Sequence, residues 1–194
     1  MPDNTNKSGR IVAILAGGQS RRMGYADKAI FEINGRRLID LVIECVRPQA
    51  NQIVLSATNH FGTKLEFIPD NPNKLAGPAA GLWAVASWVM THSPQSKRFF
   101  TVPVDAPLVP HNLFYCLGNV SGSAIAKTAS GLHPTFACWE VKPLLDALEK
   151  VPTGETISLK ALAERVNAYH VIFESERNFA NINSPKDARV FEGR

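Results

Sequence analysis

The chain has 194 residues, 45% of them apolar and 20% charged, which suits one domain with a sizeable core. Its 13 glycines and 13 prolines exclude a low-complexity chain, and a net charge of +4 without a long basic run does not favour a duplex nucleic-acid groove and suits a small anionic ligand just as well. Three scattered cysteines, Cys45, Cys116 and Cys138, lack CxxC spacing and argue against a disulfide framework or a zinc site; Cys45 and Cys116, in apolar contexts, read as buried free thiols, and a reducing cytoplasm fits.

Residues 1–9 are polar, carry no apolar signal segment and read as a loose tail. Residues 10–194 read as a single domain, since no repeat or linker divides them, and no apolar stretch suits a bilayer span. The continuous apolar run 11–15 reads as a strand buried on both faces, ending in Gly17-Gly18. Residues 17–28 read as a polar loop. Leu38, Leu41, Val42, Cys45 and Val46 follow helical spacing, stopped by Pro48. Strands are expected at 53–57 and 65–68, a buried helix at 79–90, and a second fully buried strand at 99–104. This alternation implies βαβ units and a mainly parallel sheet. Beyond it, short strands are expected at 124–126 and 135–139, flanking Gly131-Leu132-His133. Helices are expected at 143–151 and 159–166, and a strand at 171–173. Ser184-Pro185-Lys186-Asp187 has the chemistry of a helix start. The fold class is α/β: a three-layer α/β/α sandwich on one mainly parallel, mixed sheet.

Ligands of such sheets bind outside the carboxyl ends of the strands. There the first strand runs into Leu15-Ala16-Gly17-Gly18-Gln19-Ser20-Arg21-Arg22-Met23-Gly24, and Asp27-Lys28 closes the loop. Glycines let backbone N–H groups approach an anion, arginines suit bidentate phosphate contact, and a lysine can serve a triphosphate as a point charge. Each feature alone is ordinary in a βα connection; their coincidence in one loop favours phosphate binding. The loop is neither GxGxxG nor GxxxxGK[ST], which disfavours a Rossmann dehydrogenase and a P-loop NTPase. Asp105, at the carboxyl edge of the second buried strand, is placed for Mg²⁺, which commonly takes one or two carboxylates plus substrate phosphates. The plain alternative is a turn acid ahead of Pro107. Asp70 follows a strand end and suits a ribose hydroxyl or the metal, with a turn-forming Asp-Asn as the stronger ordinary reading. Gly77-Pro78-Ala79-Ala80-Gly81 opens a helix with small residues, suited either to a ligand against the backbone or to close helix packing.

The pattern Leu15-Ala16-Gly17-Gly18-x-Ser20-x-Arg22-Met23-Gly24-x-x-Asp27-Lys28 resembles the signature of the molybdenum cofactor guanylyltransferases. The resemblance continues through Gly77-Pro78-x-Ala80-Gly81, Pro103-x-Asp105-x-Pro107, His133-Pro134-Thr135 and Asn181-Ile182-Asn183-Ser184-Pro185, from about residue 10 to 191. It implies a Rossmann-like nucleotide-diphospho-sugar transferase fold and transfer of GMP from GTP to the terminal phosphate of molybdopterin, with release of pyrophosphate. It further implies Mg²⁺, a cytoplasmic setting, and no nucleic-acid or membrane partner. Transient contacts with other cofactor-biosynthesis proteins or acceptor molybdoenzymes are a further expectation.

Carried over by position, Leu15, Ala16 and Gly17 are expected on the guanine and ribose side through backbone atoms. Gly18, Ser56, Asp70 and Gly81 complete the nucleotide site. Arg22 and Lys28 are expected to hold phosphates, Asp105 to bind nucleotide and Mg²⁺, and Asn181 and Asn183 to help hold the pterin or to order the site. Family members can carry Asn near the base where this chain has Ser56, which is shorter and offers fewer hydrogen bonds. Asp27 is expected to orient the loop or Lys28. In-line displacement at phosphorus needs positioning and charge stabilisation, and no covalent nucleophile. His133 accordingly reads as structural, and His60, His92, His111 and His170 show no ligand spacing. Three other readings stay open: a CTP-dependent molybdopterin cytidylyltransferase, a sugar-phosphate nucleotidyltransferase, and a non-catalytic nucleotide-binding module.

Overall fold

The computed structural model describes residues 9–17, 27–70, 75–183 and 186–188. Nine strands and five α-helices are described among them: β1 Ile11–Leu15, β2 Glu32–Ile33, β3 Arg36–Arg37, α1 Leu38–Val46, β4 Gln52–Ser56, β5 Glu66–Ile68 and α2 Pro78–His92. These are followed by β6 Arg98–Pro103, α3 Leu113–Gly118, β7 Ala124–Thr128, β8 Gly131–Glu140, α4 Val141–Leu148, α5 Leu159–Arg165 and β9 Tyr169–Ile172. Seven strands form one sheet in the order β5-β4-β1-β6-β8-β7-β9. The pairs β5/β4, β4/β1, β1/β6 and β7/β9 are parallel, while β8 runs antiparallel to both β6 and β7.

Period-two alternation in β1 divides the core. Ile11 and Ala13 join one cluster with α2, α4, α5, Phe99 and Trp139. Val12 and Ile14 join the other with α1, α3, Leu55 and Val102. Both faces of the sheet are therefore covered, which is why the central strands are continuous apolar runs. The expected three-layer mixed sheet is thus present. The buried indole of Trp139 donates from Nε1 to Thr101 Oγ1 at 3.1 Å, so even the largest core residue has its polar atom satisfied.

Helix α1 is present as the spacing predicts, but its buried face is Leu38, Ile39, Val42, Ile43 and Val46; Leu41 and Cys45 of the expected stripe are half-buried. Pro48 does not end the turn abruptly; it sits within a following 3₁₀ turn, Arg47–Gln49. Helix α2 begins at Pro78 behind Gly77, whose φ of +69° lies where glycine is favoured. A Cβ at Gly77 would also lie 2.8 Å from Thr156 Oγ1.

Two regions differ from the expectation. Strands β2 and β3 form a hairpin turned by Asn34 and Gly35, both at positive φ. Asn-Gly between short strands is a hairpin signal, here set in a hairpin of two-residue strands. In the last third, β8 is a ten-residue strand that contains His133, Pro134 and Thr135, so these residues lie within the sheet and not between strands. Its pairing with β7 shifts register between Ile125 and Ala126. Residues 186–188 are helical, while Ser184 and Pro185 of the expected helix start lie outside the described residues. Among the described residues no helix is long and apolar enough to cross a membrane.

Candidate functional site

Strand order reverses between β1 and β6: the chain builds β1, β4 and β5 outward in one direction, then crosses to place β6 on the other side of β1. A crevice opens outside the carboxyl ends at such a point. Backbone hydrogen bonds bind its floor together. Ala16 N–H donates to Ser56 O (2.9 Å), Ala57 N–H to Ile68 O (3.2 Å) and Val104 N–H to Leu15 O (3.0 Å). The ends of β1, β4, β5 and β6 are thereby fixed to one another.

Lys28 opens a 3₁₀ turn, Lys28–Ile30, in which Ala29 is buried and anchors the segment. Asp105 follows β6 and is held in place by the fully buried Ala106. The Lys28 ammonium donates to Asp105 Oδ2 at 2.8 Å, with side chains only 21% and 15% exposed. Residues 77 positions apart thus share one cleft. The same ammonium donates to Asn183 Oδ1. Asp27, expected to orient this segment, has an extended backbone and makes no side-chain cap bond.

Asn183 arrives through a third, small core cluster of Phe31, Ile33, Leu38, Ile182 and Ala188. Ile182 is fully buried there, and its N–H donates to Asp105 O at 2.7 Å. In Asn181-Ile182-Asn183 the isoleucine is the anchor, and the two asparagines face outward, exposed. Asn183 N–H donates in turn to Asp187 Oδ2 at 2.9 Å.

A second group lies beside the end of β1. Ser56 is buried at the end of β4. A Cβ at Gly81 would lie 2.3 Å from Ser56 Oγ and 3.2 Å from Asp70 Oδ1; one at Gly17 would meet Asp70 Oδ2 and Ser56 O at 3.8 Å. Gly17, Ser56, Asp70 and Gly81 therefore touch, and Gly81 is the gap that lets α2 seat against Ser56 and Asp70. Asp70 reaches solvent at the cleft, yet the protein packed around its carboxyl pushes its pKa up by desolvation. Leu15 and Ala16 stand at the same edge; Gly18 and Arg22 lie outside the described residues.

His133 is not part of the cleft chemistry. Its Nε2 shares a hydrogen bond of 2.8 Å with Thr128 Oγ1, its ring stacks on Phe179 at 5.0 Å, and burial lowers its pKa. Cys138 is the fully buried thiol, its pKa pushed up to about 12 mainly by desolvation; Cys45 and Cys116 are half-buried. None is poised as a nucleophile.

The donors around Lys28 are hard oxygens, a carboxylate and a carboxamide, and both already hold a cation. That chemistry fits Mg²⁺, which keeps waters and completes its shell with substrate phosphates. Among the described residues no group of three or more His, Cys, Asp or Glu side chains forms a closed metal cage. Sequence reasoning found Lys28, Asp105 and Asn183 but missed the Lys28–Asn183 contact, which spans 155 positions. It also missed the direct meeting of Ser56, Gly81 and Asp70.

Residues 12–168 match the family of the MobA-like NTP transferase domain. The chain is 35% identical to a molybdenum cofactor guanylyltransferase of Rhizobium meliloti, covering 92% of this chain and 88% of that protein. It is 32% identical to one from Cereibacter sphaeroides, covering 90% and 91%. In three dimensions it matches molybdopterin-guanine dinucleotide biosynthesis protein A from Archaeoglobus fulgidus with a TM-score of 0.69 over 94% of this chain and 96% of that chain, at 23% identity.

Proposed function

The chain belongs to the MobA-like NTP transferase family, and from that premise we propose that it transfers GMP from GTP to the terminal phosphate of molybdopterin, releasing pyrophosphate. The observation that carries this reading is the Lys28–Asp105 contact of 2.8 Å at the switch point of the sheet. It places a cation for phosphates beside a carboxylate for their counter-ion, in a chain whose relatives bear the name guanylyltransferase.

In the reaction, an oxygen of the pterin phosphate forms a bond to the α-phosphorus of GTP as the bond from that phosphorus to the bridging oxygen of pyrophosphate breaks. The attacking oxygen is already anionic, so no base is required. Gly17, Ser56, Asp70 and Gly81 receive the nucleoside end, with Leu15, Ala16 and Gly18 offering backbone atoms. Lys28 and Arg22 hold phosphates and offset the charge that builds on the leaving group. Asp105 and its neighbours would hold Mg²⁺, which when bound neutralises triphosphate charge and stabilises departing pyrophosphate. Asn183, beside Lys28, and Asn181 are the residues proposed to meet the pterin, a reading that the Lys28–Asn183 contact supports. The rigid floor of interstrand hydrogen bonds keeps these groups in register, and such positioning is a large part of catalysis in displacements of this kind.

Residues 10–194 act as one catalytic domain, in a cytoplasmic setting, and pass the product on through transient contacts with acceptor molybdoenzymes. The test is a nucleotide panel. With molybdopterin and Mg²⁺ present, pyrophosphate release is measured with GTP, CTP, ATP and UTP. The reading expects GTP to give the highest kcat/KM. A preference for CTP would make the enzyme a cytidylyltransferase, and binding without turnover of any nucleotide would make the chain a non-catalytic module.

A further inference from the structure

The metal-side carboxylate is already in use. Lys28 Nζ lies 2.8 Å from Asp105 Oδ2, and the ammonium is held on a second side by Asn183 Oδ1. The ammonium engages one of the two carboxylate oxygens and neutralises the charge of the group, and its own positive charge repels an incoming divalent cation. The two partners differ in freedom. Asp105 is fixed at its root, because its carbonyl accepts from Ile182 N–H at 2.7 Å and Ala106 is fully buried. Lys28 carries its charge on a flexible four-carbon stem. Any exchange of cations at this seat is therefore a movement of the lysine, and it requires a new anion for the ammonium. The polyphosphate of the nucleotide supplies one.

We infer that Lys28 is the resident counter-ion of Asp105 in the free protein, and that a divalent cation takes the carboxylate only when nucleotide phosphates draw the ammonium away. This rests on the reading of Asp105 as the metal-side carboxylate. Lys28 then has two successive partners. It blocks Asp105 in the empty enzyme, and it holds phosphate in the loaded one. Nucleotide binding thus strengthens metal binding, and free metal is held only weakly.

The experiment titrates Mn²⁺ into the protein and follows unbound Mn²⁺ by electron paramagnetic resonance, with and without the α,β-methylene analogue of GTP. Wild type is expected to bind Mn²⁺ weakly alone and tightly with the analogue. Lys28→Met and Lys28→Gln are each expected to tighten Mn²⁺ binding to the nucleotide-free protein about tenfold or more, since the charge and not the contact is what excludes the metal. Thermal melts identify the folded variants, and either substitution suffices. Mn²⁺ affinity of the free protein that is unchanged or weaker in these variants overturns the inference. Asp105→Asn separates the two levels. Loss of Mn²⁺ binding in its analogue complex supports Asp105 as the metal-side carboxylate, whereas wild-type affinity there overturns that reading and the inference with it.

Discussion

The protein packed around the solvent-reaching Asp70 carboxyl partly desolvates it and raises its pKa, which marks its charge as a small cost to stability. Between the ordinary carboxyl value of 3.8 and the raised one, the folded protein keeps a proton that the unfolded chain has lost. Stability therefore falls as pH rises through that window, and the cost is fully present at pH 7. Asp70→Asn should raise Tm modestly at pH 7, lose that advantage below pH 3.8, and weaken GTP binding. Melting curves at the two pH values and a GTP titration check this; a lower Tm at pH 7 would mean that the carboxylate is held by favourable contacts. His133 shows the opposite economy: neutral, hydrogen-bonded to Thr128 and stacked on Phe179, it serves the packing of β8. A histidine before a proline carries no sequence signal of its partners; the pairing of β8 with β7 sets His133 opposite Ala126, and Thr128, two positions along β7, reaches its Nε2.

Two glycines, Gly77 just before helix α2 and Gly81 within it, do different work, and one substitution at each tells them apart. Gly77 combines φ of +69° and ψ of −160° with a close approach to Thr156, so alanine there is strained twice. Gly77→Ala should cost about 1–3 kcal/mol in a urea titration. Gly81 is helical, where alanine alone would gain about 1 kcal/mol. Its new methyl, however, would force the Ser56 hydroxyl aside and press on Asp70 Oδ1. Gly81→Ala should therefore leave stability nearly unchanged while raising KM for GTP; equal effects on KM from both variants would contradict the distinction. The sequence reading offered ligand contact and close packing for these small residues. The coordinates show the packing, and through Ser56 and Asp70 that packing shapes the expected nucleotide edge. The strands β1 and β6 were legible because burial on both faces leaves an unbroken apolar run. The hairpin of β2 and β3 was harder to see, since two-residue strands are too short for periodicity to register.

Across the whole molecule, the proposed site gathers residues from three distant parts of the chain. The 3₁₀ turn ahead of β2 brings Lys28, the segment after β6 brings Asp105, and the segment after β9 brings Asn183. The first two arrivals were legible, because glycine and charge at the carboxyl end of an apolar strand mark the ligand edge of an α/β sheet. The third was legible only through a family resemblance. Composition and spacing say nothing about Ile182, yet its burial beside the hairpin and α1 aims Asn183 at Lys28. The third core cluster, small as it is, is therefore the device that closes the site.

The central claim is that Lys28 and Asp105 act together on one bound nucleotide. It is tested most directly by steady-state pyrophosphate release from GTP and molybdopterin by Lys28→Ala and Asp105→Ala, each beside a thermal melt. We predict losses in kcat/KM of about 100-fold or more for both variants with the cooperative melt retained. Near wild-type turnover in either folded variant would contradict the account.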